Sequence, residues 1–411
     1  MKQLFVSPKT GRVLRTNPLG DQVVGFSEAL HSQGYARTSI REKLLLVARL
    51  NRWLEQRELG LGELDEGRVR EFLRNHRRKY RPNRSVQATI VQLLRHLRTS
   101  GVLPPEQVTV TRGAAAQVEE QYATYLREER GLARATVVNY IPLVHRFLVD
   151  RFGKELASLG QLRADDAPRF VLRHAHAMSP GRAKLLVTAL RSFLRFLHLR
   201  GETATDLAPS VPTVADWRLA KLPRFIPVED VHRLLRACDR RTATGRRDYA
   251  VLLLLARLGL RAGEVAQMKL DDIDWEGGEM TVRGKGGRHD RLPIPDDVGE
   301  ALVEYLHRDR ARCTSRRVFI CAKAPRRGFS NSVAVCTIVR RAIDRAGLAT
   351  PTKGAHLLRH SLATDLLRRG ASLAEIGELL RHRSPETTAL YAKVDFASLR
   401  EIAQPWPGGA P

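Results

Sequence analysis

The first half of this chain repeats itself, and that repeat constrains the fold more than any other feature. GYARTSI, starting at Gly34, returns as GLARATV, starting at Gly131, and VARL at Val47–Leu50 returns as VHRF at Val144–Phe147. LLRHLRTSG, ending at Gly101, returns as FLRFLHLRG, ending at Gly201. The offset drifts from 97 to 100 residues, as small changes in loop length would produce. A repeat of this period means one structural unit used twice. Apolar residues fall three and four apart, for example Leu186, Leu190, Phe193, Leu194 and Leu197, the spacing that lines one face of a helix. Two tandem helical modules of similar fold are predicted.

Two stretches that combine prolines with small residues, 103–116 (LPPEQVTVTRGAAA) and 208–223 (APSVPTVADWRLAKLP), interrupt the chain. They divide it into modules at 1–110, 111–210 and 220–411, in keeping with 411 residues being too many for one ordinary domain. In the third module, Asp248–Arg257 reads as a buried helix that turns at Gly259, so that Arg261 opens the next short helix. Glu279–Arg283 and Arg291–Ile294 read as strands joined by a Gly-rich turn that carries Lys285. A helix over 355–369 ends at Gly370, and Ser372 with Glu375 makes a capping box for the next one. Ser384 and Pro385 start a helix expected to carry Tyr391.

An apolar content of 43% is that of a globular protein, so disorder is not expected. The charge is the outlier: 70 Lys+Arg against 44 Asp+Glu give +26. Such an excess makes a polyanion the expected partner, because each neutralised phosphate releases counterions and draws the protein to nucleic acid. Twelve of the basic residues are lysine, leaving 70 − 12 = 58 arginines. That bias suits phosphate recognition, and a GC-rich genome would produce it equally. Cys238, Cys313, Cys321 and Cys336 show no Cys-x-x-Cys spacing and read as free thiols of a reducing compartment. The N-terminus MKQLFVSPKT lacks the apolar stretch of a signal peptide, and the longest apolar run, Ala250–Ala256, is too short to cross a bilayer. A soluble, cytoplasmic protein with no membrane partner is expected.

Four short stretches of the last third carry chemistry: LGLRAGEV with Arg261, VRGKGGRHDRLPI with Lys285, HLLRHSLAT with His356 and Arg359, and LLRHRSPETTALYAKV with His382 and Tyr391. A phosphodiester under attack gathers negative charge on its non-bridging oxygens, which planar guanidinium forks neutralise bidentately. Arg261 and Arg359 suit that need. The attacking group must be a side-chain oxygen that can later be displaced, and the departing 5′ oxygen needs a proton from a positioned cation. Tyr391 and Lys285 suit those two needs.

Each residue also has a plainer reading. Arg261 follows a helix and a glycine and could serve as a cap. Lys285 could be a solvated hairpin lysine, with Arg288 and Arg291 close by. His356 and Arg359 share one helical face. His356 and His360 are four apart, as zinc ligands can be, yet HLLRH lacks the glutamate of a His-Glu-x-x-His site and offers no third ligand; no metal is expected and His360 reads as structural. His382 could simply interact with a helix dipole, and Tyr391 beside Leu390 could be a core residue. Tyr249 and Tyr305 fall at packing positions.

Taken in order, these stretches and the entry segment KLPRFIPVEDVHRLL make residues 221 to about 400 resemble the catalytic domain of tyrosine recombinases, the phage-integrase and Xer-like site-specific recombinases. The histidine nine residues before the tyrosine is part of that match. One departure is visible: Arg381 stands where a glycine commonly precedes this histidine.

The resemblance implies a mainly α fold with a small β-sheet: two helical, SAM-like N-terminal DNA-binding modules and an α+β tyrosine-recombinase catalytic domain. It implies strand breakage through a 3′-phosphotyrosyl intermediate without cofactor or metal. Arg261, Arg359 and His382 would hold the phosphate, Tyr391 would attack, His356 would assist proton transfer and Lys285 would protonate the leaving oxygen. The implied partners are double-stranded DNA bearing specific sites and three further protomers, of this chain or of related recombinases, in a tetrameric synapse. The doubled N-terminal module is similar to transposon-type recombinases, so service to a transposable element is the expectation. A type IB topoisomerase would share this chemistry, and a catalytically silent accessory factor of a mobile element would share the DNA binding. In the tail, Phe396, Leu399 and Ile402 fall at helical spacing, which in relatives of this kind docks on the neighbouring protomer; packing on its own catalytic domain is the alternative.

Overall fold

The computed structural model describes residues 19–80, 84–105, 114–153, 158–215, 222–284 and 288–394. Met1–Glu106 and Leu222–Pro411 form one compact unit and Gln107–Lys221 another.

The sequence repeat has a structural counterpart. In the first copy, α1 (Gly20–Ser32), α2 (Arg37–Glu55), α3 (Glu66–Lys79) and α4 (Arg84–Thr99) follow one another, with a 3₁₀ turn at Leu61–Glu63 between α2 and α3. In the second, α5 (Ala114–Thr124), α6 (Arg134–Phe152), α7 (Asp166–Ala175) and α8 (Pro180–Leu199) keep that order, with a 3₁₀ turn at Leu159–Gln161. α2 and α6 are both 19 residues long. Each copy closes its own core. Phe26, Leu30, Val47, Leu50, Phe72, Leu93 and Leu97 fill the first. The second is built on Tyr122, Phe147, Phe170 and the face of α8 read from the sequence, Leu186, Leu190, Phe193, Leu194 and Leu197. Burying each such side chain contributes about 1.5–3 kcal/mol before the entropy of ordering it is subtracted.

The C-terminal part is helical around a small antiparallel sheet. The entry segment leads into α9 (Val228–Arg236), and its Ile226 N–H donates to the Ser361 hydroxyl at 2.9 Å. α10 (Ala243–Arg257) buries every residue from Ala250 to Ala256 and so runs through the middle of the core. It starts five residues before the predicted Asp248, because the Thr242 hydroxyl accepts the Gly245 N–H at 3.0 Å and caps an earlier turn. α11 (Ala262–Gln267) follows, then a sheet in the order β1 (Ile273–Asp274), β2 (Glu279–Arg283), β3 (His289–Pro293). β2 matches expectation. β3 lies two residues nearer the turn at its start than predicted, because the ladder extends back to an Arg283–His289 pair. The two-residue β1 carries too little pattern to be read in advance.

α12 (Asp296–Arg308) and α13 (Ser332–Arg345) complete the core, and α14 (His356–Arg368) lies against α10. The Ser372–Glu375 box forms as expected: the Ser372 hydroxyl accepts the Glu375 N–H at 3.2 Å and the Ser372 N–H donates to the Glu375 carboxylate at 2.8 Å. It opens α15 (Leu373–Leu379). The next helix, α16 (Pro385–Ala389), does start at Pro385, yet it does not carry Tyr391. It ends at Ala389, and Tyr391 opens a separate 3₁₀ turn, Tyr391–Val394. That tighter winding, common where a helix ends, seats Tyr391 in a small apolar cluster with Ala363, Ile376 and Leu380. The four cysteines are free, Cys238 buried and the others half-buried. Among the described residues no helix is long and apolar enough to cross a membrane.

Candidate active site

Gly259 starts the site. α10 must reverse immediately into α11, and Gly259 does so at φ +57°, where a Cβ would lie 2.4 Å from the Leu380 side chain. The reversal leaves Arg261 as the extended residue before α11. Three residues on, the buried Glu264 carboxylate accepts the Arg261 backbone N–H and its Nη1, both at 2.8 Å. Arg261 is thus both a cap and an oriented guanidinium. Its side chain keeps 37% exposure against 5% for Glu264, so its fork remains open to a ligand.

Arg359, one turn into α14, is 3% exposed. Its Nη1 donates to the Gly259 carbonyl and its Nη2 to the Leu380 carbonyl. One side chain therefore ties the Arg261 turn to the turn that precedes His382. Burial, and then the Arg261 and Arg381 charges, push its pKa down to about 10, which leaves it protonated at neutral pH.

His356 opens α14 at the surface. Its pKa is lowered, first by desolvation and then by the neighbouring Arg359 and Arg261 charges. His382 is half-buried; its Nδ1 lies 2.7 Å from the Thr388 hydroxyl and its ring stacks on that of Tyr391 at 6.3 Å and 9°. Burial, reinforced by Arg359 and Arg261, lowers its pKa to about 4. Tyr391 is 2% exposed, and burial raises its hydroxyl to about 12. That hydroxyl lies 2.9 Å from Nδ1 of His360, whose own pKa is lowered to about 4 by burial, His356 and Arg359.

Of the six residues singled out in the sequence, five are brought together: Arg261, His356, Arg359, His382 and Tyr391. Lys285 lies outside the described residues; on either side, Arg283 pairs with His289 and the Gly284 N–H donates to the Arg288 carbonyl at 2.8 Å. The tail with Phe396, Leu399 and Ile402 lies outside them as well. Two residues gain contacts that sequence reading did not foresee. His360, read as structural, touches the Tyr391 hydroxyl, and its place four residues after His356 on one face was the available signal. Arg381 donates to Glu264 at 2.9 Å across 117 residues of chain, which no local pattern announces. Among the described residues no cluster of three His, Cys, Asp or Glu side chains is arranged to hold a metal.

The arrangement combines two oriented guanidinium groups, neutral imidazoles and a phenol, a set suited to binding a phosphodiester and attacking it with an oxygen nucleophile. The phage integrase family model matches residues 224–398. The integrase/recombinase y4rA of Sinorhizobium fredii is 46% identical over 394 residues, spanning 96% of each protein. The tyrosine recombinase XerA of Pyrococcus furiosus is 31% identical over 292 residues, 70% of this chain and 93% of that protein. Among solved structures, the XerH site-specific recombinase bound to a palindromic difH substrate in a post-cleavage complex shares the fold, with a TM-score of 0.56 at 22% identity over 72% of this chain and 85% of that one. The chain therefore belongs to the phage integrase family of tyrosine recombinases, enzymes that break and rejoin DNA.

Proposed function

We propose that this protein is a site-specific recombinase that cuts DNA through a 3′-phosphotyrosyl intermediate. Tyr391 Oη attacks the scissile phosphorus, the bond from phosphorus to the 5′ oxygen breaks, and Lys285 delivers the proton that the 5′ oxygen takes up. Arg261, Arg359 and His382 hold the non-bridging oxygens, and His356 assists the transfer of the phenolic proton. The phosphotyrosyl ester conserves the energy of the broken bond, so a free 5′ hydroxyl reseals the strand by the reverse steps. The observation that carries this reading is the convergence of Arg359, which bonds the Gly259 carbonyl of the Arg261 turn and the Leu380 carbonyl before His382, with a tyrosine hydroxyl held by the next residue, His360. Tyr391 leaves its contact with His360 in order to attack.

The modules at 1–110 and 111–210 are assigned to DNA binding, alongside a catalytic domain at 220–411, in the cytoplasm. The net charge of +26 supports that assignment. The substrate is double-stranded DNA bearing specific sites, exchanged by four protomers, in the service of a transposable element. Tyr391→Phe tests the chemistry: on a nicked suicide substrate it should abolish the covalent protein–DNA adduct and leave DNA affinity within about twofold, since one hydroxyl is lost. An adduct that survives would remove Tyr391 as the nucleophile. A topoisomerase would relax supercoils without exchanging partners between two sites, and a silent accessory factor would form no adduct.

A further inference from the structure

Arg381 occupies an improbable place. Helix α15 ends at Leu379, and the chain turns back with the Arg381 N–H donating to the Glu378 carbonyl and the His382 N–H to the Gly377 carbonyl, both at 2.9 Å. This closure puts Arg381 at φ +53°, in the left-handed region that glycine adopts freely and that brings a Cβ too close to the following carbonyl oxygen. An unfavourable backbone conformation that persists beside an active site calls for a compensating role.

The side chain supplies one. Although it ends in a charge, it is only 7% exposed. Its Nη2 donates to Glu264 Oε2 at 2.9 Å, while Arg261 Nη1 holds Glu264 Oε1. Its Nη1 donates to the Leu379 carbonyl at 3.2 Å. Its Nε is buried with no hydrogen-bond partner among the described residues and lies 3.8 Å from the Asp290 carboxylate of β3. Glu264 has to orient Arg261, yet as an anion beside a phosphate-binding group it also cancels that group's charge. With Arg381 on its other oxygen, the trio of Arg261, Glu264 and Arg381 carries a net positive charge, and Glu264 cannot swing away from Arg261.

We propose that Arg381 is a positioning residue for DNA cleavage, fixing Glu264 so that Arg261 is held against the scissile phosphate with its charge uncancelled. This rests on the phosphotyrosyl reading above. Arg381 does not touch the reacting atoms; it acts through Glu264, and its approach to Asp290 ties the His382 turn to the hairpin.

The test compares wild type, Arg381→Gly and Arg381→Lys in the full-length protein, measuring thermal midpoint, DNA affinity and the rate of adduct formation on a nicked suicide substrate at saturating DNA. Glycine relieves the backbone but takes one partner from the buried Glu264 carboxylate, so the melt fixes the folded fraction on which each rate is read. The glycine variant's rate of adduct formation should fall about tenfold to a hundredfold with affinity nearly unchanged, the loss expected when a reacting group is misplaced. Lysine, which keeps the charge and one donor, should restore part of that rate. In a Glu264→Gln background, removing Arg381 should cost little more, because both act through one contact. A glycine variant that forms adduct at the wild-type rate overturns the proposal, as does a rate loss matched by a loss of folded protein in both variants. Absence of adduct from wild type itself would overturn the phosphotyrosyl reading first and this proposal with it.

Discussion

Nδ1 of His360 lies 2.9 Å from the hydroxyl of Tyr391, and this contact holds the buried phenol inside the protein. With His360 lowered to about 4 and Tyr391 raised to about 12, both are neutral at pH 7, and the imidazole tautomer decides which of them donates. His360→Ala should leave the buried hydroxyl without this partner and destabilise the protein by about 1–3 kcal/mol, whereas His360→Gln, which can still reach it, should cost less. Urea unfolding of the two variants checks this; equal midpoints for wild type and alanine would mean that the contact holds nothing.

The histidines also predict a pH dependence. His356, His360 and His382 all bind protons less readily in the folded protein than the ordinary value of 6.5, His360 and His382 titrating near 4. The unfolded chain therefore takes up more protons in that range, and stability rises with pH there. Their contribution is fully present above about 6.5 and is lost as pH falls toward about 4. Denaturation midpoints measured between these limits should fall with acid, and His382→Gln should flatten the slope. A flat profile in wild type would contradict the desolvation of the half-buried His360 and His382 rings.

Gly259→Ala should be costly. The residue sits at φ +57°, and a new Cβ would lie 2.4 Å from the Leu380 side chain. Left-handed backbone and overpacking together should remove about 2–4 kcal/mol, and the displaced carbonyl should loosen Arg359, whose Nη1 it accepts. A thermal melt and an adduct assay on the folded fraction should show both losses; a variant as stable as wild type would mean that this turn can open without strain.

Lys285→Ala should slow cleavage by about a hundredfold or more, in the range typical of a lost general acid. A substrate with a 5′-bridging phosphorothiolate should recover most of that rate, because a thiolate departs without a proton. Failure of the sulfur substrate to rescue would assign Lys285 to binding, or the proton to another residue.

Much of this protein follows from local pattern. The tandem helical modules were legible because apolar residues at helical spacing and recurring turn glycines act over a few residues, as in the face of α8 from Leu186 to Leu197. The Ser372–Glu375 cap and strand β2 were legible for the same reason. Arg261, His356, Arg359, His382 and Tyr391 stood out by residue type and order, before anything showed that they meet.

What the sequence could not determine depends on groups far apart along the chain. That Tyr391 leaves its helix for a 3₁₀ turn goes with its packing against Ala363, Ile376 and Leu380, which no short-range preference announces. The linkage of Arg359 to Gly259 and Leu380, the seat of Tyr391 against His360, and the sharing of Glu264 by Arg261 and Arg381 exist only once the chain is closed. Sequence determined which charged and nucleophilic groups this protein carries; tertiary structure decided which of them are buried, and burial sets both their pKa values and the partners that each must find.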